Sequence, residues 1–185
     1  RAWGVRSPLY QVRVLGEFAS TSDDTVCPLG EVEAAQRRRL PLGEPAVIAC
    51  DVARFGSDET VIVVRRGGRV RIAKSYVGRD LMQTVGAILA AEREVQASMP
   101  DGPNPLLVVD DVGVGGGVTD RSRELNRPVV PFNGGTASFT GDYPNRRSEL
   151  WFSFAEQLPG IGLDAGEQLA ARLVASPGPL AVTSW

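Results

Sequence analysis

The chain has 185 residues, 43% of them hydrophobic, and its 20 basic and 22 acidic side chains leave a net charge of −2. This is the length of one domain with an ordinary globular composition, lacking the ~18–20 consecutive apolar residues of a membrane span and any signal-peptide pattern. The absence of histidine excludes Ser-His-Asp and Cys-His catalysis and any His-based zinc site from this chain.

Residue 1 is Arg, and the sequence reads as a piece of a longer or processed polypeptide. Nearly all its basic residues are arginines, Lys74 being the one lysine, a bias typical of a high-GC genome. Cys27 and Cys50 have no metal-ligand spacing. Cys50 lies in an apolar run and is expected as a reduced, buried thiol.

Residues 1–44 read as a linker or strap. They contain a predicted short strand, Tyr10 to Leu15, then "STSDD" and a helix-like "EVEAAQRRRL" closing on Pro41 and Gly43. From Ala46 the pattern sharpens. "AVIACDV" is a continuous apolar run broken by Asp51, as for a central strand covered on both faces. "TVIVV" predicts a second strand, and "RRGGR" a Gly-Gly hairpin into a third, "VRIAKSYV". Between 79 and 97 the period changes. Leu81, Val85, Ile88, Leu89 and Val95 share one helical face.

"PDGPNP" ends that helix, and "LLVVD" is another buried strand. A helix follows within "GGGVTDRSREL", then a fifth strand in "PVVPF". Asn145 caps a further helix with apolar Leu150, Trp151, Phe154 and Leu158. Asp164 and Glu167 predict the cap of a last short helix reaching about Ala175. The order β-β-β-α-β-α-β-α is that of a mixed α/β sheet, an antiparallel meander followed by alternating helices and parallel strands.

In such a sheet the first strand and the strand after the first helix lie side by side. Alternation places Asp51 on the face of Val47 and Ala49, and Asp110 on that of Leu106 and Val108. Two carboxylates ~4 Å apart repel by about 4 kcal/mol at an effective dielectric near 20, so a shared cation of the Mg²⁺ or Mn²⁺ type is one reading. The other is that Asp51 begins a turn and Asp110 caps the next helix. Asp111 points to the opposite face and is expected to cap or hydrogen-bond the glycine loop. "GVGGG" suits a tight strand-to-helix turn. It is not a Walker pattern, because no Gly-Lys-Ser/Thr follows.

The stretches "VIACDVARFGSDETVIVVRRGGRV", "VVDDVGVGGGVTDRSREL", "VVPFNGG" and "YPNRRSELWFSFAEQL" together resemble the nuclease domain of the large terminase subunit of tailed bacteriophages. "SPLYQVRVLGEF" is similar to the segment joining that family's ATPase domain to its nuclease. The resemblance implies a ribonuclease H-like fold over residues 45–185, with 1–44 as the preceding strap. It also implies a metal-dependent endonuclease that cuts concatemeric double-stranded DNA during packaging, using Mg²⁺ or Mn²⁺, two ions in all.

By position Asp51 and Asp110 match the family's first two catalytic acids, with Asp111 as the alternative metal ligand and Asp58 a weaker neighbour. Arg54, Arg121, Arg146 and Arg147 are expected to contact DNA phosphates. In the full-length family protein the implied partners are the ATPase domain, the small terminase subunit and the portal. The implied location is the cytoplasm of a bacterial host. The family's third acid is not matched by Asp142, Glu149 or Asp164, and "SPGPLAVTSW" does not resemble the continuation, so the domain reads as truncated at its C-terminus.

Two other readings stay open. "DVARFGSDETV" also resembles the phosphate-binding hairpin of actin-like and sugar-kinase ATPases, which would place nucleotide at Asp51 and the Gly56–Ser57 turn. A prophage remnant that folds but does not cut is the third.

Overall fold

Alternating apolar side chains build the central sheet. The computed structural model describes residues 26–53 and 58–164. The chain divides into two compact units, one of residues 39–136 and one joining residues 1–38 to 137–185.

In the first unit, β1 (Ala46–Asp51), β2 (Glu59–Arg66) and β3 (Arg69–Val77) form the predicted antiparallel meander. The Gly67–Gly68 turn joins β2 to β3, with Gly67 at φ 58°, a left-handed conformation open to glycine at little steric cost. Helix α2 (Leu81–Ala97) follows, opened by a capping box between Asp80 and Gln83. β4 (Leu106–Asp110), α3 (Gly115–Glu124) and β5 (Val129–Phe132) complete the unit. Its five strands run β5-β4-β1-β2-β3, with β1 parallel to β4 and β4 parallel to β5. This is the predicted mixed sheet.

The core lies on one face. Ile48, Cys50, Ile62, Val64, Leu107 and Val109 meet Val85, Ile88, Ala91 and Val95 of α2 and Val118 of α3. Burial of such side chains stabilises by about 1.5–3 kcal/mol each. The opposite face, carrying Val47, Ala49, Val61, Val63 and Val108, is half-buried. Cys27 and Cys50 are free, buried thiols, as expected for Cys50.

The second unit holds α1 (Leu29–Arg37), α4 (Arg146–Gln157), a 3₁₀ turn (Leu158–Gly160) and β6 (Gly162–Asp164). Val32 and Ala35 of α1, with Leu158, Ile161 and Leu163, are buried here. The Arg38 guanidinium donates to the carbonyls of Leu158 and Ile161. Asn145 caps α4 by accepting from the Ser148 N–H, as predicted.

Two details differ from the sequence reading. Leu150 is 44% exposed, so the buried face of α4 does not include it. Asp164 ends the short strand β6, which periodicity did not predict because three residues are too few to show a period. The expected strand at 10–15 and the helix after Asp164 lie outside the described residues. No helix among the described residues is long and apolar enough to cross a membrane.

Candidate metal centre at two strand ends

Asp51 is the last residue of β1 and Asp110 the last of β4. The parallel register pairs Ala49 with Val108 and Cys50 with Val109. One further step sets Asp51 level with Asp110, on strands ~4.8 Å apart. Both carboxylates project from the face opposite α2 and α3, as alternation predicted. Asp51 is exposed and Asp110 half-buried.

Local bonds hold each strand exit. Beyond Asp51, the Ala53 N–H donates to Oγ1 of buried Thr60 at 3.1 Å, tying the end of β1 to β2. Asp110 Oδ1 accepts from the Val112 N–H at 3.1 Å, a turn closed by the aspartate itself. The N-cap of α3 is Val114, without a side-chain cap bond, so Asp110 does not cap the next helix. Burial first, and then the charge of neighbouring Asp51, push the Cys50 thiol up to about 12.

The Asp111 N–H donates to the Phe132 carbonyl at 2.8 Å, which ties the loop to β5. Its side chain does not bond the glycine loop. Asp111 Oδ1 is buried and has no hydrogen-bond partner among the described residues. The glycines act through close approach. A Cβ on Gly115 would overlap the Asp110 carbonyl oxygen and stand 2.8 Å from its carbon, and one on Gly117 would stand 2.6 Å from Leu81 Cδ1. Gly113 adopts φ 72°. The loop turns the chain sharply toward the helical face.

The remaining candidates are placed as follows. Arg54, with Gly56 and Ser57, lies outside the described residues. Asp58 is exposed just before β2. Arg121 sits six residues into α3, about 9 Å of helical rise from its start, and pairs with Glu124 at 2.7 Å. That exposed pair is worth at most about 1 kcal/mol. In the second unit, Arg146 and Arg147 open α4, and the Arg146 guanidinium lies 4.0 Å from the centroid of the Phe139 ring. Glu149 is buried, its two oxygens accepting from the Phe139 and Thr140 N–H groups. It is therefore a structural carboxylate. Asp142 is exposed.

Two carboxylates at adjacent strand ends form a hard oxygen donor set of the kind a divalent cation takes, and the buried, unpartnered Asp111 oxygen lies one residue away. Among the described residues, no three acidic or cysteine side chains come together as a metal-binding group. The donor set fits one end of a cation site and leaves a third protein ligand unidentified.

No protein-family model matches the chain, and no curated protein does. Solved structures do. The manganese- and β-thujaplicinol-bound nuclease domain of the large terminase subunit gp2 of bacterial virus Sf6 aligns with TM-score 0.68 at 18% identity, covering 81% of each chain. Its calcium-bound form aligns at TM-score 0.66 and 19% identity, again over 81% of each. The magnesium-bound large terminase nuclease of thermophilic phage G20c aligns at TM-score 0.55 and 14% identity, over 83% of this chain and 80% of that one. The fold is that of these ribonuclease H-like nuclease domains.

Proposed function

We propose that this chain is a metal-dependent DNA endonuclease domain of the terminase type, acting on concatemeric double-stranded DNA during genome packaging. The observation that carries the reading is the pair Asp51 and Asp110. They stand level at the ends of adjacent parallel strands, in a fold shared with terminase nucleases solved with manganese, calcium and magnesium.

Asp51 and Asp110 are assigned as catalytic, metal-holding acids, with Asp111 as the alternative metal ligand. Bound there, one or two Mg²⁺ or Mn²⁺ ions would supply Lewis acidity to a phosphodiester and lower the pKa of an attacking water. The chain's own part is to hold the two carboxylates level through the β1–β4 ladder and to fix Asp110 through the Val112 N–H. Arg54, Arg121, Arg146 and Arg147 are assigned to phosphate contacts, without sequence reading. Residues 1–44 are assigned as the strap preceding a nuclease at 45–185. The ATPase domain, small subunit and portal of a packaging complex in a bacterial host are the proposed partners.

The test is plasmid cleavage by the 185-residue chain in Mn²⁺, Mg²⁺ or EDTA, beside Asp51→Asn and Asp110→Asn. Cutting that requires the metal and falls about a hundredfold or more in each variant supports the proposal. Cutting in EDTA, or undiminished cutting by folded variants, overturns it. A second reading, a DNA-binding fold that does not cut, is favoured by the absence of a three-ligand acidic group among the described residues. Folded wild-type chain that binds duplex but leaves plasmid intact in every metal would select it.

A further inference from the structure

The other end of the β1–β2 ladder carries an unusual charge. Arg66 is 6% exposed, the last of the core-facing series Thr60, Ile62, Val64, Arg66 along β2. Its Nε donates to the Gly43 carbonyl at 3.3 Å and an Nη to Ser98 Oγ at 2.6 Å. Both acceptors are neutral, and no carboxylate pairs with it among the described residues. A guanidinium stays charged at any ordinary pH and has five N–H donors, so burial without a counter-ion is costly.

The hairpin adds to that charge. Arg69 stands directly opposite Arg66 in the β2–β3 register, and Arg71 opposite Val64, both on the same face as Arg66. Arg71 pairs with Glu94 at 3.0 Å, through side chains 36% and 61% exposed. The three arginines, with Leu42 and Val64, line a cavity of about 170 Å³, ample for a tetrahedral oxyanion.

We infer that the Arg66–Arg69–Arg71 pocket binds a phosphate group, the buried Arg66 guanidinium being the fixed donor and the two hairpin arginines closing around it. Arginine forks match phosphate oxygens two at a time, and an anion there offsets the buried charge of Arg66. The site is not the one at Asp51. Ala46 pairs with Arg66 and Asp51 with Val61, which separates the two by five strand residues, about 17 Å. The inference does not rest on the nuclease reading. The phosphate is either that of a DNA backbone or that of a free phosphate compound.

The experiment titrates the 185-residue chain with inorganic phosphate against chloride at matched ionic strength, following backbone amide shifts. Saturable shifts confined to Gly43, residues 66–71 and Ser98, with affinity falling tenfold or more in Arg69→Gln, support the site. An unchanged urea transition for that variant shows that the fold is kept. Arg66→Met gives a second check, since it removes the fixed donor and should abolish the shifts. Scattered, non-saturating shifts, or shifts indifferent to Arg69→Gln in folded protein, overturn the inference and mean an adventitious ion only. A short duplex separates the sources. If it moves the same amides and Arg69→Gln lowers the salt slope of duplex binding by about 0.9, the ligand is backbone phosphate. If duplex leaves those amides unmoved while phosphate shifts them, it is a free phosphate compound.

Discussion

Gly115→Ala is the sharpest test of how the glycine loop holds Asp110. A methyl group there would overlap the Asp110 carbonyl oxygen and sit 2.8 Å from its carbon, against ~3.5–4.0 Å for comfortable carbon contacts. Backbone cannot rotate away as a side-chain tip can, so α3 must move off the end of β4. Overpacking costs about 1–3 kcal/mol, occasionally more, and a backbone clash belongs at the upper end, about 3 kcal/mol.

Gly116→Ala is the control. The nearest atom to its added methyl is Asp111 Oδ1 at 3.9 Å, so the variant should gain up to about 1 kcal/mol of helix propensity. Gly113→Ala, at φ 72°, should lose about 1–2 kcal/mol to left-handed strain. Urea unfolding of the three variants should therefore rank them Gly116→Ala, Gly113→Ala, Gly115→Ala from most to least stable. A Gly115→Ala protein as stable as Gly116→Ala would refute the close approach and with it the loop's account of Asp110.

Two further outcomes follow from buried groups. Cys50, raised from the ordinary 9.0 to about 12, should resist thiol reagents at pH 8 until the protein unfolds. Between pH 9 and 12 the unfolded chain gives up this proton while the native one keeps it, so Cys50 should make stability fall as pH rises through that window, as urea midpoints at stepped pH would show. Glu149→Gln replaces one of the two carboxylate oxygens that hold the 139–140 backbone with an amide group, which cannot accept. It should cost about 1–3 kcal/mol and speed amide exchange at Phe139 and Thr140. A stability change below about 0.5 kcal/mol would mean that the bonds to Glu149 are dispensable.

What could be read in advance was whatever a backbone period dictates. Side chains alternate strictly along a strand, so the parity of Asp51 with Val47 and of Asp110 with Val108 followed from position alone. An apolar run such as "AVIACDV" reads as covered on both faces, and only the fold shows that the core lies on the side of Ile48 and Val109. Arg66 followed the same alternation, yet the predicted strand stopped at Val64. A charged pair reads as a turn, and only the fold shows the second arginine pointing inward. Glu149 was equally opaque. Its partners are backbone N–H groups in the polar, aperiodic stretch before α4, where no periodicity announces a contact. Alternation points Asp111 to the face opposite Asp110, which suggests a cap or hydrogen bond to the glycine loop. Here the loop is shaped by glycine contacts instead, and that oxygen is left without a partner among the described residues.

The position of the acids also explains why the register of the sheet matters to the candidate site. Both helices of this unit pack on the face of Ile48, Cys50, Leu107 and Val109, and the turn from Gly113 to Gly117 carries the chain to that side at once. Asp51 and Asp110 are thereby left uncovered by α2 and α3 at the carboxyl ends of two neighbouring parallel strands, where open α/β sheets tend to bind ligands. A one-residue slip of either strand would reverse every side chain. It would drive a carboxylate into the core beside Ile62 and Val85, at a cost of several kcal/mol for an unpaired charge. The apolar side chains that lock the ladder are therefore the ones that keep the acids level, and a variant such as Ile62→Ala, fully buried and worth about 2–5 kcal/mol, should loosen the acid pair without touching it.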